Sequence, residues 1–252
     1  MKMKAIYSMF LMVAAVALLA ISVPVHATKM DNRIESSAKK SYVFKTYLKD
    51  DDIKIQSKDG AVTLTGIVAN EYHKSLAQET LAGLPGVKSV NNKLEVKGEH
   101  PAEKSDAWIT TKVKTTLLYH RSVSVLTEVN TKDGIVTLKG EADNQAQKDL
   151  TTEYAMDIDG VKDVKNEMTV SKTTKKKSRT TGEKIDDASI TSLVKMTLLL
   201  HRSTSALNTT VATKRGVVTL SGKAGNAAEK DLASKLVNDV RGVKSVKNQM
   251  TI

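Results

Sequence analysis

The chain has 252 residues, of which 40% are apolar and only 4% are aromatic, so we expect it to fold around small aliphatic cores. Cysteine is absent, which excludes disulfides, thiol catalysis, cysteine-bound metals and lipid attachment through an N-terminal cysteine. The formal charge of +11 indicates attraction to anionic surfaces or acidic partners, and salt weakens such attraction.

Residues 1–27 are typical of a secretory signal peptide, because Lys2 and Lys4 precede a long apolar run that ends in small residues. We expect the mature chain to begin at Thr28, to carry a formal charge of +9 and to be soluble in the periplasm. The alternative is a retained membrane anchor, since the apolar run is almost long enough to span a bilayer. Export argues against nucleic acid as a partner.

One phrase of nine residues occurs three times, as KDGAVTLTG from residue 58, KDGIVTLKG from 132 and KRGVVTLSG from 214. A second phrase, G-V-K-x-V-x-N, begins 26 residues after the first glycine in every copy. The offsets between copies, 74 and 82 residues, are too long for a solenoid repeat. The sequence therefore predicts three compact domains of about 65 residues each.

Each copy is predicted to begin with a helix and a β-hairpin. Apolar residues four positions apart indicate the helix, least clearly in copy one: Ile34, Ala38 and Tyr42; Ile109, Val113 and Leu117; Ile190, Val194 and Leu198. The hairpin turns are the dipeptides that end in Gly60, Gly134 and Gly216, where both residues need positive φ. Strands in which valine and leucine alternate with polar residues indicate a sheet with one buried face.

A second helix and a third strand complete each copy. Asn70, Asn144 and Asn226 are predicted N-caps, and Gln147 and Glu229 suit a capping box. Glycines beyond this helix are predicted left-handed C-caps, and together with the turn and strand-end glycines they form the structural motif: Gly60, Gly66, Gly86, Gly134, Gly140, Gly160, Gly216, Gly222 and Gly242. The predicted fold is α+β: three tandem α-β-β-α-β domains, each a small three-stranded mixed sheet with two helices on one face.

These repeats divide the chain into six predicted parts: signal peptide 1–27, domain 28–96, linker 97–104, domain 105–170, basic linker 171–184 and domain 185–252. The basic linker carries six basic residues against one glutamate, so we expect a flexible and solvated tether.

The sequence contains no recognisable catalytic arrangement. His120 and His201 share the phrase His-Arg-Ser after the first helix of copies two and three, but one histidine per domain does not supply a metal site. We expect these histidines to lie near the terminal carbonyls of their helices. Neither a nucleophile motif nor a phosphate-binding loop occurs. We therefore predict a protein that is not an enzyme, with no catalytic residues, metal or cofactor.

Residues that the copies do not share are the candidates for binding. Trp108, the only tryptophan, aligns with Arg33 and Ser189, so this position need not be apolar for the domain to fold. Beside Lys112 and Lys114 it is predicted to lie at a membrane interface, and the alternative is packing against a neighbouring copy. The basic linker is a second candidate for anionic headgroups, through Lys175, Lys176, Lys177 and Arg179.

The phrases D-A-x-I-T-x-x-V-K, V-x-L-x-G and G-V-x-x-V-x-N resemble the BON domain, in three copies that cover nearly all of the predicted mature chain. The resemblance implies an α-β-β-α-β fold in the bacterial envelope and a non-enzymatic role in envelope maintenance under osmotic stress. The leading hypothesis is binding to anionic phospholipid surfaces. The alternative is a chaperone-like module for exported or outer-membrane client proteins, which could add a strand to an open sheet edge. A spacer without a ligand is a third possibility.

Overall fold

A computed structural model describes residues 25–98, 101–124, 126–171, 184–204 and 209–252. Almost all of the predicted signal peptide lies outside these ranges, and so do residues 172–183 of the basic linker. Three domains of one architecture follow each other along the described chain.

The elements of the three copies follow the predicted order. Copy one comprises α1 (Val25–Lys40), α2 (Tyr42–Thr46), β1 (Asp52–Lys58), β2 (Ala61–Val68), α3 (Glu71–Ala82) and β3 (Ser89–Val96). Copy two comprises α4 (Asp106–Tyr119), β4 (Glu128–Lys132), β5 (Ile135–Lys139), β6 (Glu141–Ala142), α5 (Gln145–Met156), β7 (Asp163–Asn166) and β8 (Thr169–Val170). Copy three comprises α6 (Asp187–Leu200), β9 (Thr209–Lys214), β10 (Val217–Gly222), α7 (Ala227–Asn238) and β11 (Ser245–Asn248).

Each copy contains a three-stranded mixed sheet. The two hairpin strands pair in antiparallel fashion, and the second of them pairs in parallel with the last strand of the copy. The strand orders are β1-β2-β3, β4-β5-β7 and β9-β10-β11, and copy two adds the short parallel pair of β6 and β8. The predicted α+β fold is therefore confirmed.

An aspartate in the first helix of every copy holds the hairpin turn. In copy two, Asp106 accepts hydrogen bonds from the backbone N–H groups of Asp133 and Gly134, both at 2.8 Å. Asp187 in copy three and Asp31 in copy one make the same contacts. Both turn residues have positive φ, as predicted, so their N–H groups point toward this carboxylate. The aspartate of the D-A-x-I-T phrase therefore serves architecture.

The first helix of copy one differs from its equivalents, because it stops at Ser41. The Ser41 hydroxyl donates to the carbonyl of Ala38 at 2.8 Å and accepts from the N–H of Phe44, which starts the short α2. Val43 is fully buried, whereas Tyr42 is only partly buried. Tyr42, one of the residues that indicated this helix, therefore begins α2 instead, and the break in the helix places Val43 in the core.

The predicted C-cap glycines are left-handed but do not cap helices. Gly86, Gly160 and Gly242 have φ of 91°, 84° and 89°, and each lies three residues beyond the C-cap residue of its helix. The C-cap positions hold Gly83, Asp157 and Asp239. The loop that follows each helix, rather than the helix end, therefore requires the left-handed residue.

The asparagine of the G-V-K-x-V-x-N phrase ties the last strand to the second helix. Asn166 donates to the carbonyl of Lys148 and the hydroxyl of Thr152, both at 2.8 Å, and accepts from the N–H of Met168. Asn92 and Asn248 make equivalent contacts in the other copies. This residue uses its donor and acceptor atoms within the domain, and so it is also architectural.

The predicted N-caps of the second helices are confirmed, since Asn70, Asn144 and Asn226 each accept from the N–H three residues later. Gln147 and Glu229 complete a variant of the capping box, because their side chains accept from the residue before the N-cap.

The three domains pack together through α6. A continuous core extends through copies one and three and includes Tyr119 of copy two, whereas a second core belongs to copy two and includes Leu236 of copy three. Helix α6 is buried on most of its surface because it packs on its own sheet, on α3 and on α4. Small polar side chains allow the close approach to α3, where the hydroxyls of Thr80 and Ser192 are 2.9 Å apart.

Candidate functional site

A cleft of about 620 Å³ lies where the three copies meet. Its apolar wall has contributions from every copy: Tyr72 and Val96 from copy one, Trp108 from copy two, and Leu199 and Leu200 from copy three. Leu199 remains 50% exposed, so a bound group can cover it. Because removal of apolar surface from water is favourable, this wall suits an apolar ligand.

Lys112 lies inside the cleft wall and is already paired. Its Nζ is 3.2 Å from Oδ2 of Asp159 and 4.6 Å from the centre of the Trp108 ring. The residue is only 6% exposed, so its charge is compensated within the protein. The lipid-headgroup role predicted for Lys112 is therefore corrected. Trp108 is half-buried and faces the junction of the copies, a position that matches the packing alternative given for it above.

Tyr72 brings a polar group to the cleft. Burial raises the pKa of its hydroxyl to about 12, and the negative charges of Asp159 and Glu103 act in the same direction. The hydroxyl therefore stays protonated at neutral pH and remains a hydrogen-bond donor.

The other predicted lipid-binding residues do not join this cleft. Lys114 is exposed and borders a smaller hollow beside Leu118, because positions 108 and 112 share a helix face that position 114 does not. Lys175, Lys176, Lys177 and Arg179 lie outside the described residues. The structure thus brings Trp108 and Lys112 together and leaves Lys114 apart.

A second polar centre lies between copies two and three. His120 and His201 are at most 1% exposed, and their Nε2 atoms are 3.1 Å apart. Each Nδ1 faces a carboxylate of the other copy: His201 lies 2.9 Å from Asp157, and His120 lies 3.2 Å from Asp239. The two halves are equivalent, since each histidine follows a first helix and each aspartate is the C-cap of a second helix.

Every residue of the His-Arg-Ser phrase contacts the same aspartate. In copy three, Arg202 donates its backbone N–H to the carbonyl of Asp157 at 2.9 Å, and its Nε lies 3.6 Å from Oδ1. The Ser203 hydroxyl donates to the same carboxylate. Arg121 and Ser122 repeat these contacts with Asp239. The phrase is therefore a docking element for the partner domain. The two histidines are the C-cap residues of their own first helices, as expected, and their rings face the carboxylates of the other copy.

Burial and charge act against each other in this centre. Burial lowers the pKa of His120, the Asp239 carboxylate opposes this effect, and the neighbouring His201 reinforces it. Burial alone would raise the pKa of Asp239, but hydrogen bonds from His120 and Ser122 outweigh it and lower the pKa. Tyr154 stacks on His120 with ring centres 3.9 Å apart, and its hydroxyl donates to Asp239 at 2.9 Å.

The sequence carries a signal for this centre, in residues that were not predicted to act together. Copies two and three share His-Arg-Ser, and they also share an aspartate at the end of the second helix, Asp157 and Asp239. Copy one has Gly83 at that position and lacks His-Arg-Ser. Joint presence in two copies and joint absence in the third indicate that the residues act together.

Two further kinds of feature, a metal site and a membrane-spanning helix, are absent from the described ranges. No group of three or more histidine, cysteine, aspartate or glutamate residues there could hold a metal ion. The helices found in those same ranges are too short or too polar to cross a membrane.

The protein is thus a tandem array of three copies of one small α+β domain. The residues that the copies share serve architecture, and the copies meet around a cleft. The family model of the BON domain matches residues 30–98, 105–172 and 186–252. These matches cover more than half of the chain, and the chain belongs to the BON-domain family.

Among curated proteins, the chain is 34% identical over 143 residues to Osmotically-inducible protein Y of Escherichia coli (strain K12). That match covers 55% of this chain and 71% of the relative. Among solved structures, CdsD of Chlamydia trachomatis, a structural protein of the type III secretion system, is 16% identical with a TM-score of 0.24, covering 87% of this chain and 90% of that chain. The C-terminal domain of CdsD gives 16% identity and a TM-score of 0.23, with 82% and 93% covered. TM-scores this low bear on neither fold nor function.

Proposed function

We propose that this protein acts without catalysis in the bacterial periplasm under osmotic stress, where it holds apolar segments of exported proteins in the cleft between its three copies. The observation that carries the proposal is the shared apolar wall, with Trp108 and Leu199 both accessible from the cleft. The likeness to Osmotically-inducible protein Y supports the link to osmotic stress. The signal peptide expected in residues 1–27 supports the periplasmic location.

The composition of the cleft favours a polypeptide segment over a uniformly apolar ligand. Lys97 and Glu103 border the apolar wall, and the Tyr72 hydroxyl is a donor beside it. A client segment can place one or two apolar side chains against Trp108 and Leu199 while its backbone and polar neighbours meet these groups. Pockets that combine an apolar wall with a few polar groups bind ligands in this way.

The test uses Leu199→Glu in the full mature chain, with a urea-unfolded outer-membrane protein as the client. A charge in the cleft wall must be desolvated when the client binds, so we expect client affinity to fall at least about tenfold, which corresponds to roughly 1.4 kcal/mol. Suppression of client aggregation, measured by light scattering, should weaken accordingly.

The matched control is Leu118→Glu, because Leu118 occupies the same helical position in copy two, is 38% exposed and lies outside the cleft. The control should protect the client as well as the unaltered chain does. Equal protection by both variants would refute a role for the cleft. Trp108 fluorescence, from the only tryptophan of the chain, should shift to the blue when client binds.

Binding to anionic phospholipid is a second candidate, and one repeated feature favours it. The backbone N–H of Lys88, Lys162 and Lys244 donates to the carbonyl of the turn glycine at 2.8–2.9 Å, so each of these exposed lysines lies at the tip of its hairpin. An exposed lysine also precedes each turn: Lys58, Lys132 and Lys214. Three basic tips on one chain could add their weak attractions to an anionic surface.

Vesicle cosedimentation distinguishes this candidate from general charge. Vesicles that contain anionic lipid should bind the unaltered chain but not the triple variant Lys88→Glu, Lys162→Glu and Lys244→Glu. Vesicles without anionic lipid should bind neither of these two proteins. The control reverses the same number of charges on the open sheet faces, at Lys93, Lys165 and Lys247, which are also exposed. If both triple variants lose binding equally, the hairpin tips have no special role.

A further inference from the structure

The contact between His120 and His201 can hold only a limited number of protons. A short contact between two ring nitrogens needs one proton, since one nitrogen must donate and the other accept. The Nδ1 atom of His201 is hydrogen-bonded to Asp157 at 2.9 Å, and the Nδ1 atom of His120 lies 3.2 Å from Asp239 without hydrogen-bond geometry. Even with a proton on both Nδ1 atoms, the closed junction can hold at most three ring protons, which means at most one charged imidazole.

A fourth proton would place two N–H groups head to head at 3.1 Å, between two positively charged rings that water does not reach. Neither ring can turn away easily, because His120 is stacked on Tyr154 and His201 lies edge-on to both rings. Separation of copies two and three would hydrate both rings and remove the conflict.

Charged and titratable groups surround the histidine pair, and they come from all the elements that pack against it. The carboxylates favour positive charge on the rings and the guanidinium groups oppose it: Asp157, Asp239, Arg121, Arg202 and Arg241. Tyr154, whose pKa is raised by burial, stays neutral. The two carboxylates already accept hydrogen bonds from Ser122 and Ser203. They are therefore not free to compensate a further positive charge on the rings.

We propose that the His120–His201 pair is an acid-sensitive latch: uptake of a second positive charge by the pair opens the junction between copies two and three. The junction is continuous with the cleft, since Leu200 precedes His201 and Asp159 lies two residues beyond Asp157. Opening would therefore widen the cleft. Release of a bound client on opening rests on the function proposed above, whereas the opening itself does not.

The sign of the pH dependence follows from the buried ring. Because the pKa of His120 is lowered in the closed junction, the open form binds more protons below the ordinary histidine pKa of about 6.5. The closed form is therefore fully favoured above that value and loses stability as pH falls toward the lowered pKa. If one proton is taken up on opening, the ratio of open to closed protein should rise by up to about tenfold for each unit by which the pH falls in this window.

The test measures the full mature chain alone between pH 8 and 5, without client or lipid. We expect the radius of gyration from X-ray scattering, and the quenching of Trp108 fluorescence by acrylamide, to increase below pH of about 6.5. His201→Gln and His120→Gln should each remove the increase, since the pair can then no longer carry two charges. The matched control is His73→Gln, because His73 pairs with Asp51 within copy one at 2.6 Å and should leave the transition unchanged.

A pH-independent radius in the unaltered chain would overturn the proposal, and so would a transition that persists in both histidine variants. NMR titration of the unaltered chain decides the question even if the variants do not fold. The ring resonances of His120 must titrate together with the expansion, and resonances that titrate without it would also overturn the proposal. Loss of client binding with an intact acid transition would count against the cleft function alone.

Discussion

The packing of copy one on copy three should depend on a small side chain at position 192. Ser192 is fully buried between α6 and α3, where its hydroxyl donates to the carbonyl of Ser189 and accepts from Thr80, both at 2.9 Å. Ser192→Leu adds apolar volume to this contact and removes the hydroxyl. Helices α3 and α6 must then move apart, since Thr80 opposite is also fully buried.

The magnitude can be estimated from two effects. Overpacking of a close contact costs about 1–3 kcal/mol. The lost hydrogen bonds add about 1 kcal/mol, because Thr80 keeps its second partner, the carbonyl of Leu76. We therefore expect the free energy of unfolding to fall by about 2–4 kcal/mol, together with a larger radius of gyration.

Urea unfolding followed by circular dichroism measures this change, and X-ray scattering measures the radius. The control is Thr111→Leu, because Thr111 holds the same helical position in copy two but lines the open cleft. Its effect should stay within about 0.5 kcal/mol. A comparable loss in both variants, or none in Ser192→Leu, would refute the reasoning that α6 requires small residues at this contact.

Three more predictions follow from single contacts. Asp187→Ala removes the acceptor for the turn amide of Gly216, so the free energy of unfolding of copy three should fall by about 1–2 kcal/mol. Asp187→Asn keeps an acceptor oxygen and should lower it less. Equal losses in urea unfolding would refute the role of Asp187 in holding the hairpin turn. Asn166→Ala should cost about 1–3 kcal/mol and speed amide exchange in the last strand of copy two, and unchanged exchange there would contradict its linking role. Because hydrogen bonds lower the pKa of Asp239, its contribution is present above the ordinary aspartate pKa and is lost as pH falls through the lowered value. Asp239→Asn should therefore destabilise the protein at neutral pH and show a smaller further loss between pH 5 and 2, and an identical acid profile would exclude the pairing with His120.

The repeated phrases allowed the sequence alone to predict the fold of each copy. Turn glycines, N-cap asparagines and apolar periodicity act over a few residues, so the same local chemistry recurs three times and is readable without tertiary contacts. The errors lay where a local pattern met a competing one. Ser41 ends the first helix of copy one by bonding the backbone, so Tyr42 begins a second short helix instead of continuing the first, and Val43 is buried.

The candidate cleft and the histidine centre depend on contacts between residues that are far apart in the sequence. Lys112 appears in the sequence as an exposed base, but packing of the copies places it between Trp108 and Asp159, which lies 47 positions away. His120 and His201, 81 positions apart, meet only because each phrase docks on the other copy's helix end.

The sequence by itself determined the three domains, because turns, caps and periodicity depend on neighbouring residues. Only the tertiary structure decided which side chains are buried, paired or accessible, because burial and charge pairing depend on how the three domains pack.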